Sequence, residues 1–196
     1  MALDLNSDVD LIDQDSNYMN ELVNLTTNFD GERTIGNLLD DYHQWSSNYL
    51  EEDINKLNIP NDGDIIVLGI YLGHSFNIIK DIFSNRNVIG IDASDYGNPI
   101  ENVIYQDVRT LFANNNFDRS VAVLFDGIGS WNFCPQSKSA VFEFASNNII
   151  SNGYYIDELG WRDGVSNSGI ETVKENLNPF KIITDISSSL YILQHE

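Results

Sequence analysis

The residues best suited to chemistry begin with Gly69-Ile70-Tyr71-Leu72-Gly73-His74-Ser75, followed at intervals by Asp92 and Asp107. Glycines let a backbone approach a ligand closely, and a helix that starts just after them turns its free N–H groups toward an anion. A carboxylate such as Asp92, about twenty residues beyond a glycine turn of this kind, can accept hydrogen bonds from both hydroxyls of a ribose. Asp107 can accept one from the amino group of an adenine. Two of these features also have a plainer reading: a tight strand-to-helix turn for the glycines, a helix cap or loop aspartate for Asp92. Together they point to an adenosine-containing ligand.

The glycine spacing narrows that ligand. Dinucleotide folds use G-x-G-x-x-G, whose second glycine makes room for a pyrophosphate. Here Tyr71 and His74 stand at the second and third glycine places. A pyrophosphate is poorly accommodated beside them, whereas the carboxylate of a methionine moiety does not need the room. A nicotinamide oxidoreductase is therefore disfavoured.

These residues need a scaffold, and the hydrophobic pattern supplies one. Short apolar runs predict strands over 64–70, 87–92, 102–105, 120–126 and 153–157. Between them, Ser75 is placed to cap a helix with Phe76, Ile79, Ile82 and Phe83 on one face. A second helix is expected over 136–150, with Val141, Phe144 and Ala145 inward, and a third over 169–177. Strands alternating with helices argue for a parallel sheet covered on both faces. Two closing strands, 181–185 and 189–194, are joined by too few residues for a parallel crossover and must form an antiparallel hairpin. The expected fold is α/β and Rossmann-like, and each candidate acid falls at or just beyond the carboxyl end of a strand, where open sheets bind ligands.

Upstream, residues 1–18 carry Asp4, Asp8, Asp10, Asp13 and Asp15 with no basic residue, which predicts a flexible acidic tail. Residues 19–60 turn helical, with Leu38, Leu39, Tyr42, Trp45 and Tyr49 along one face, and read as an N-terminal helical cap. Pro60 and Asn61-Asp62-Gly63 mark the boundary with the main domain, 61–196. The 196 residues hold 30 acidic and 10 basic side chains, a formal net charge of −20. Such a field repels phosphate backbones and anionic lipid, so neither nucleic acid nor membrane is an expected partner. No apolar run is long enough to span a bilayer, no signal peptide is visible, and Cys134 is a lone cysteine, so a cytoplasmic location is expected. The oligomeric state is not legible.

The run VLGIYLGHSF, the following VIGIDASDYGNP, and the stretch from Val121 through Asp157-Glu158 resemble class I S-adenosylmethionine-dependent methyltransferases. The similarity is to the macrocin O-methyltransferase family, with its "E-F-G-V-Y-x-G-x-S", "V-x-G-F-D-S-F-x-G-L-P" and "strand, D-x-D, helix, G-G-Y-I-x-x-D-D" segments, and it covers roughly 60–194. It implies a seven-stranded, mostly parallel sheet of order 3-2-1-4-5-7-6 with a C-terminal antiparallel hairpin. It also implies methyl transfer from S-adenosylmethionine to a small-molecule acceptor, at a hydroxyl oxygen, and a Mg²⁺ ion held by Asp126, Asp157 and Glu158. Cofactor contacts would come from Gly69, Tyr71, Gly73, Ser75, Asp92 and Asp107. Asp126, at the end of the fourth strand, is the first candidate base for the acceptor hydroxyl. His74, beside the glycine loop, is the second, with a plain turn histidine as its other reading.

The sequence departs from the family pattern at three places. Val67 stands where the family has an acid, Ile128 where it has the second aspartate of D-x-D, and Glu158 where it has the second aspartate of D-D. Trp131 and Phe133 are aromatic candidates for stacking on an acceptor or on adenine, or for lid packing, and Trp161 follows the fifth strand, where acceptor-shaping loops lie. The departures keep a second class of function open: a methyltransferase-fold protein without catalysis that binds a nucleotide or a protein partner.

Overall fold

The computed structural model describes residues 51–70, 73–93, 95, 99–113, 117–128, 135–157, 177, 179–183 and 191–196. All of these fall in the unit Leu50–Glu196, one of the two into which the chain divides. The expected acidic tail, most of the helical cap and all but Leu177 of the helix expected over 169–177 lie outside the described residues. Residues 51–60, read from sequence as the end of the cap, belong to the main unit: Ile54 is buried in its core, with Leu57 and Ile59 packed against the same cluster.

Seven strands form one sheet: β1 (Asp64–Leu68), β2 (Val88–Asp92), β3 (Val103–Tyr105), β4 (Val121–Asp126), β5 (Ile149–Asp157), β6 (Phe180–Ile183) and β7 (Tyr191–His195). Their order is β3-β2-β1-β4-β5-β7-β6. β1 to β5 pair in parallel, whereas β7 runs antiparallel to both β5 and β6. The architecture is the α/β, Rossmann-like one expected, with the C-terminal hairpin in place. Helices α1 (His74–Ile82), α2 (Val108–Leu111) and α3 (Pro135–Asn148) follow β1, β3 and β4. Among the described residues, no helix is long and apolar enough to cross a membrane.

Alternation along the strands splits the core in two. Ile66 and Leu68 of β1 join Leu124 and Tyr155 with the α3 side chains Val141, Phe142, Phe144 and Ala145. Ile65 and Val67 point the other way, to Phe76 and Ile79 of α1 and to Phe125 and Ile156. Because both faces are covered, β1, β2 and β4 tolerate apolar residues at nearly every position. This explains Val67. It is buried at 2% exposure in the α1-side core, where an ionised carboxylate would need a partner.

The differences from expectation are local. Phe76, Ile78 and Ile79 of α1 are buried together with its C-cap Phe83, while Ile82 is half-buried at the edge of the cluster. β5 starts at Ile149, not Gly153, and is irregular: its register against β4 shifts between Val121 and Val123, and Asn152 takes a φ of 64°. The short α2 has no counterpart in the sequence reading, since one helical turn is too brief to show a period.

Candidate functional site

β1, β2, β4 and β5 end along one edge of the sheet. Leu68, Asp126 and Asp157 are successive Cα partners across β1, β4 and β5, and Asp92 is paired with Tyr105 across β2 and β3. The chain runs from β1 outward to β3, then returns to add β4 on the other side of β1. The crevice at this reversal is where open α/β sheets take their ligands.

Gly69 and Gly73 frame the loop that leaves β1. Both have positive φ, 72° and 86°, a region costly for any side chain bearing a Cβ. A Cβ on Gly69 would lie 2.7 Å from the Gly127 carbonyl oxygen, so the loop after β1 rests directly on the turn after β4. That contact is held by backbone bonds: the Gly69 N–H donates to the Ile91 carbonyl and the Gly127 N–H to the Leu68 carbonyl, each at 3.0 Å. A Cβ on Gly73 would meet the Ile100 side chain, 2.5 Å from Cδ1. Gly73 itself is the N-cap of α1, with no side-chain capping bond. Ser75, expected as the cap, instead lies half-buried inside the first turn, because the left-handed bend that starts the helix falls at the glycine. His74 opens α1. Tyr71 lies outside the described residues.

Asp92 ends β2, and its side chain is largely buried. Asp107 follows β3 and caps α2, accepting the Arg109 N–H at 2.8 Å. Its carboxylate also takes the Arg109 guanidinium, with Nε 2.9 and 3.0 Å from the two oxygens and Nη2 on Oδ2. Burial works to raise the Asp107 pKa, but the hydrogen bonds and charge of Arg109 prevail and hold it below the ordinary carboxylate value. Asp107 therefore has a structural task that the sequence reading did not assign. Any contact to an adenine amino group shares a carboxylate already engaged by Arg109.

The acids of β4 and β5 form a closed cluster. Asp126, Lys138, Tyr155 and Asp157 are all at most 2% exposed. The Lys138 ammonium donates to Asp126 Oδ2 at 2.6 Å and to Asp157 Oδ2 at 3.4 Å. The Tyr155 hydroxyl donates to Asp126 Oδ2. Asp126 Oδ1 accepts the Ile128 N–H at 3.0 Å, which fixes the turn after β4. Burial alone would lower the Lys138 pKa, but the Coulombic pull of Asp126 and Asp157 and the bonds to both raise it above the ordinary lysine value. Burial, reinforced by the same two carboxylates, pushes the Tyr155 phenol well above its usual range. The cluster thus holds a protonated ammonium and a neutral phenol.

This geometry differs from two expectations. A base for an acceptor hydroxyl must reach the proton it takes. Asp126 is fully buried, and both of its oxygens accept hydrogen bonds within the fold. It shapes the turn and presents no open face to an acceptor. A Mg²⁺ ion needs near-octahedral oxygen coordination. Between Asp126 and Asp157 that place is taken by an ammonium and a phenol, and among the described residues no three His, Cys, Asp or Glu side chains gather to hold a metal. Glu158 lies outside the described residues. Among the described residues, Asp126 and Asp157 do not fit a divalent cation.

Lys138 and Tyr155 were absent from the sequence reading, although a signal for each exists. Lys138 lies three and seven residues before Val141 and Ala145, on the apolar face of α3, where a lysine must find a buried anion. Tyr155 is two residues before Asp157 on a strand and so shares its face.

No protein-family profile matches the chain, and no curated protein matches it in sequence. Solved structures do match it in shape. CalS11, a TDP-rhamnose 3'-O-methyltransferase of calicheamicin biosynthesis, superposes with a TM-score of 0.51 at 12% identity, over 96% of this chain and 93% of that one. The fold is that of the methyltransferases. The O-methyltransferase NovP matches with a TM-score of 0.50 at 13% identity, over 79% of each chain. A chain of a fibrillarin/Nop5p complex matches at 0.51 and 13% identity, over 76% of this chain and 80% of that one.

Proposed function

We propose that this protein is an S-adenosylmethionine-dependent methyltransferase acting on a small-molecule acceptor, at a hydroxyl oxygen. The observation that carries the reading is the loop after β1 at the strand-order reversal, with Gly69 and Gly73 at positive φ and Asp92 ending the neighbouring strand. A Cβ at Gly69 would strike the Gly127 backbone, so the backbone itself forms that wall of the crevice. The cofactor supplies an electrophilic methyl group on a sulfonium. What the protein supplies is alignment of the acceptor oxygen with it, which accounts for much of the acceleration in such transfers.

In this reading Gly69, Tyr71, Gly73 and Ser75 surround the methionine moiety, Asp92 takes the ribose hydroxyls and Asp107 lies at the adenine end. His74, at the start of α1, is the remaining candidate base of the two named from sequence, since Asp126 is enclosed. A net charge of −20 favours a small acceptor over a phosphate backbone. Calorimetric titration with S-adenosylhomocysteine, beside an NADH control, tests the reading: micromolar binding of the first alone is expected. Failure of S-adenosylhomocysteine to bind would end it.

The closed carboxylate cluster favours one other reading, a methyltransferase-fold protein that binds its nucleotide or a protein partner without catalysis. Tight S-adenosylhomocysteine binding with no methyl transfer across a panel of hydroxylated acceptors would select it.

A further inference from the structure

We propose that the Lys138 ammonium is a built-in cation that takes the place of a divalent metal between the β4 and β5 carboxylates and braces the cofactor loop from there. Three observations converge on it. Asp126 and Asp157 are Cα partners at the ends of adjacent strands, so their carboxylates are brought side by side and need a positive charge. Lys138 reaches both from α3, and its side chain is 1% exposed, so the charge is a permanent part of the fold. Tyr155 completes the set by donating to Asp126 from β5, two residues before Asp157.

The cluster is connected to the cofactor loop by an unbroken chain of contacts. Lys138 holds Asp126, Asp126 accepts the Ile128 N–H, and the Gly127 backbone between them presses on Gly69. Lys138 is thus a positioning residue, and it acts on the loop after β1 through the turn after β4. A flexible divalent site would tie that turn to metal supply, whereas an ammonium on a helix does not. The bracing of the cofactor loop rests on the methyltransferase reading; the replacement of a metal by lysine does not.

The test uses the full chain and Mn²⁺ alone as probe, in physiological salt that screens the surface charge. The wild-type melting temperature is expected to be the same in EDTA and in Mn²⁺. Lys138→Ala leaves two carboxylates facing a vacated cation position, so its melting temperature falls, and Mn²⁺ at tenfold its Kd raises it again by about 4 °C. Lys138→Ala/Asp157→Asn, with one carboxylate neutralised, gains no such response. Mn²⁺ also restores the S-adenosylhomocysteine affinity that Lys138→Ala loses. Saturable Mn²⁺ stabilisation of the wild type that Asp157→Asn abolishes would overturn the proposal, as would a folded Lys138→Ala indifferent to Mn²⁺. If Lys138→Ala does not fold, the comparison of wild type with Asp157→Asn decides alone. Because the melting arms contain no cofactor, they judge the lysine even if S-adenosylhomocysteine fails to bind, which would count only against the function.

Discussion

Gly69→Ala and Gly73→Ala make the same chemical change at two positive-φ positions but are expected to differ in cost. Each must place a Cβ in the left-handed region, at about 1–2 kcal/mol. At Gly73 the new methyl meets Ile100 Cδ1, the end of a side chain that can rotate away. At Gly69 it meets the carbonyl of Gly127, backbone held by the bond from its own N–H to Leu68 and by the neighbouring bond from Ile128 to Asp126. Relieving the second clash breaks or stretches at least one of these bonds, each worth about 1 kcal/mol. Gly69→Ala is therefore expected to cost about 3 kcal/mol and Gly73→Ala about 1–2 kcal/mol. Urea denaturation of both variants at neutral pH measures the difference, with unchanged m-values as the check that the unfolded state is comparable. Ile100→Ala should couple to Gly73→Ala through their shared contact, whereas it should not couple to Gly69→Ala, where no side chain is in the way. Equal costs at the two glycines would refute the reasoning, because the backbone contact between the β1 and β4 loops would then not be rigid.

Other outcomes follow from the same geometry. Asp92→Asn should leave the melting temperature within a few degrees of wild type while weakening S-adenosylhomocysteine binding by at least about tenfold, and an unchanged Kd in calorimetry would remove Asp92 from the site. Lys138 and Tyr155 both have folded pKa values above their ordinary ones of 10.5 and 10.0, so the folded state holds these protons more tightly than the unfolded chain. Their contribution is complete at neutral pH and is lost as pH rises beyond 10, so urea melts should show a steep alkaline fall that Tyr155→Phe makes shallower; a flat profile to pH 11 would contradict this. Asp107 is shifted the opposite way, so Asp107→Asn, which keeps an N-cap acceptor, should cost about 1 kcal/mol at neutral pH through the lost charge pairing with Arg109. That gap should close as pH falls below the ordinary carboxylate value, and an undiminished gap at pH 3 would disprove the assignment.

Much of this protein was legible along the chain because the information is local. The apolar runs at Asp64–Leu68 and Val121–Asp126, the helix after Gly73 and the short link before β7 each report their own structure through period and length. The glycines of the β1 loop were equally visible, since positive φ is a demand on a single residue. Resemblance added the order of the strands, which no local pattern encodes, and the sheet has that order. Tertiary structure decided what the acids do. Asp107 and Arg109 are two residues apart, yet their pairing depends on the one-turn helix that Asp107 caps. Asp126 and Asp157 are separated by a helix and a strand, and only parallel pairing of β4 with β5 brings them together. Lys138 reaches both only because α3 packs its apolar face on that part of the sheet. A buried carboxylate takes its role from the charge that meets it, and that charge comes from a different element of the fold.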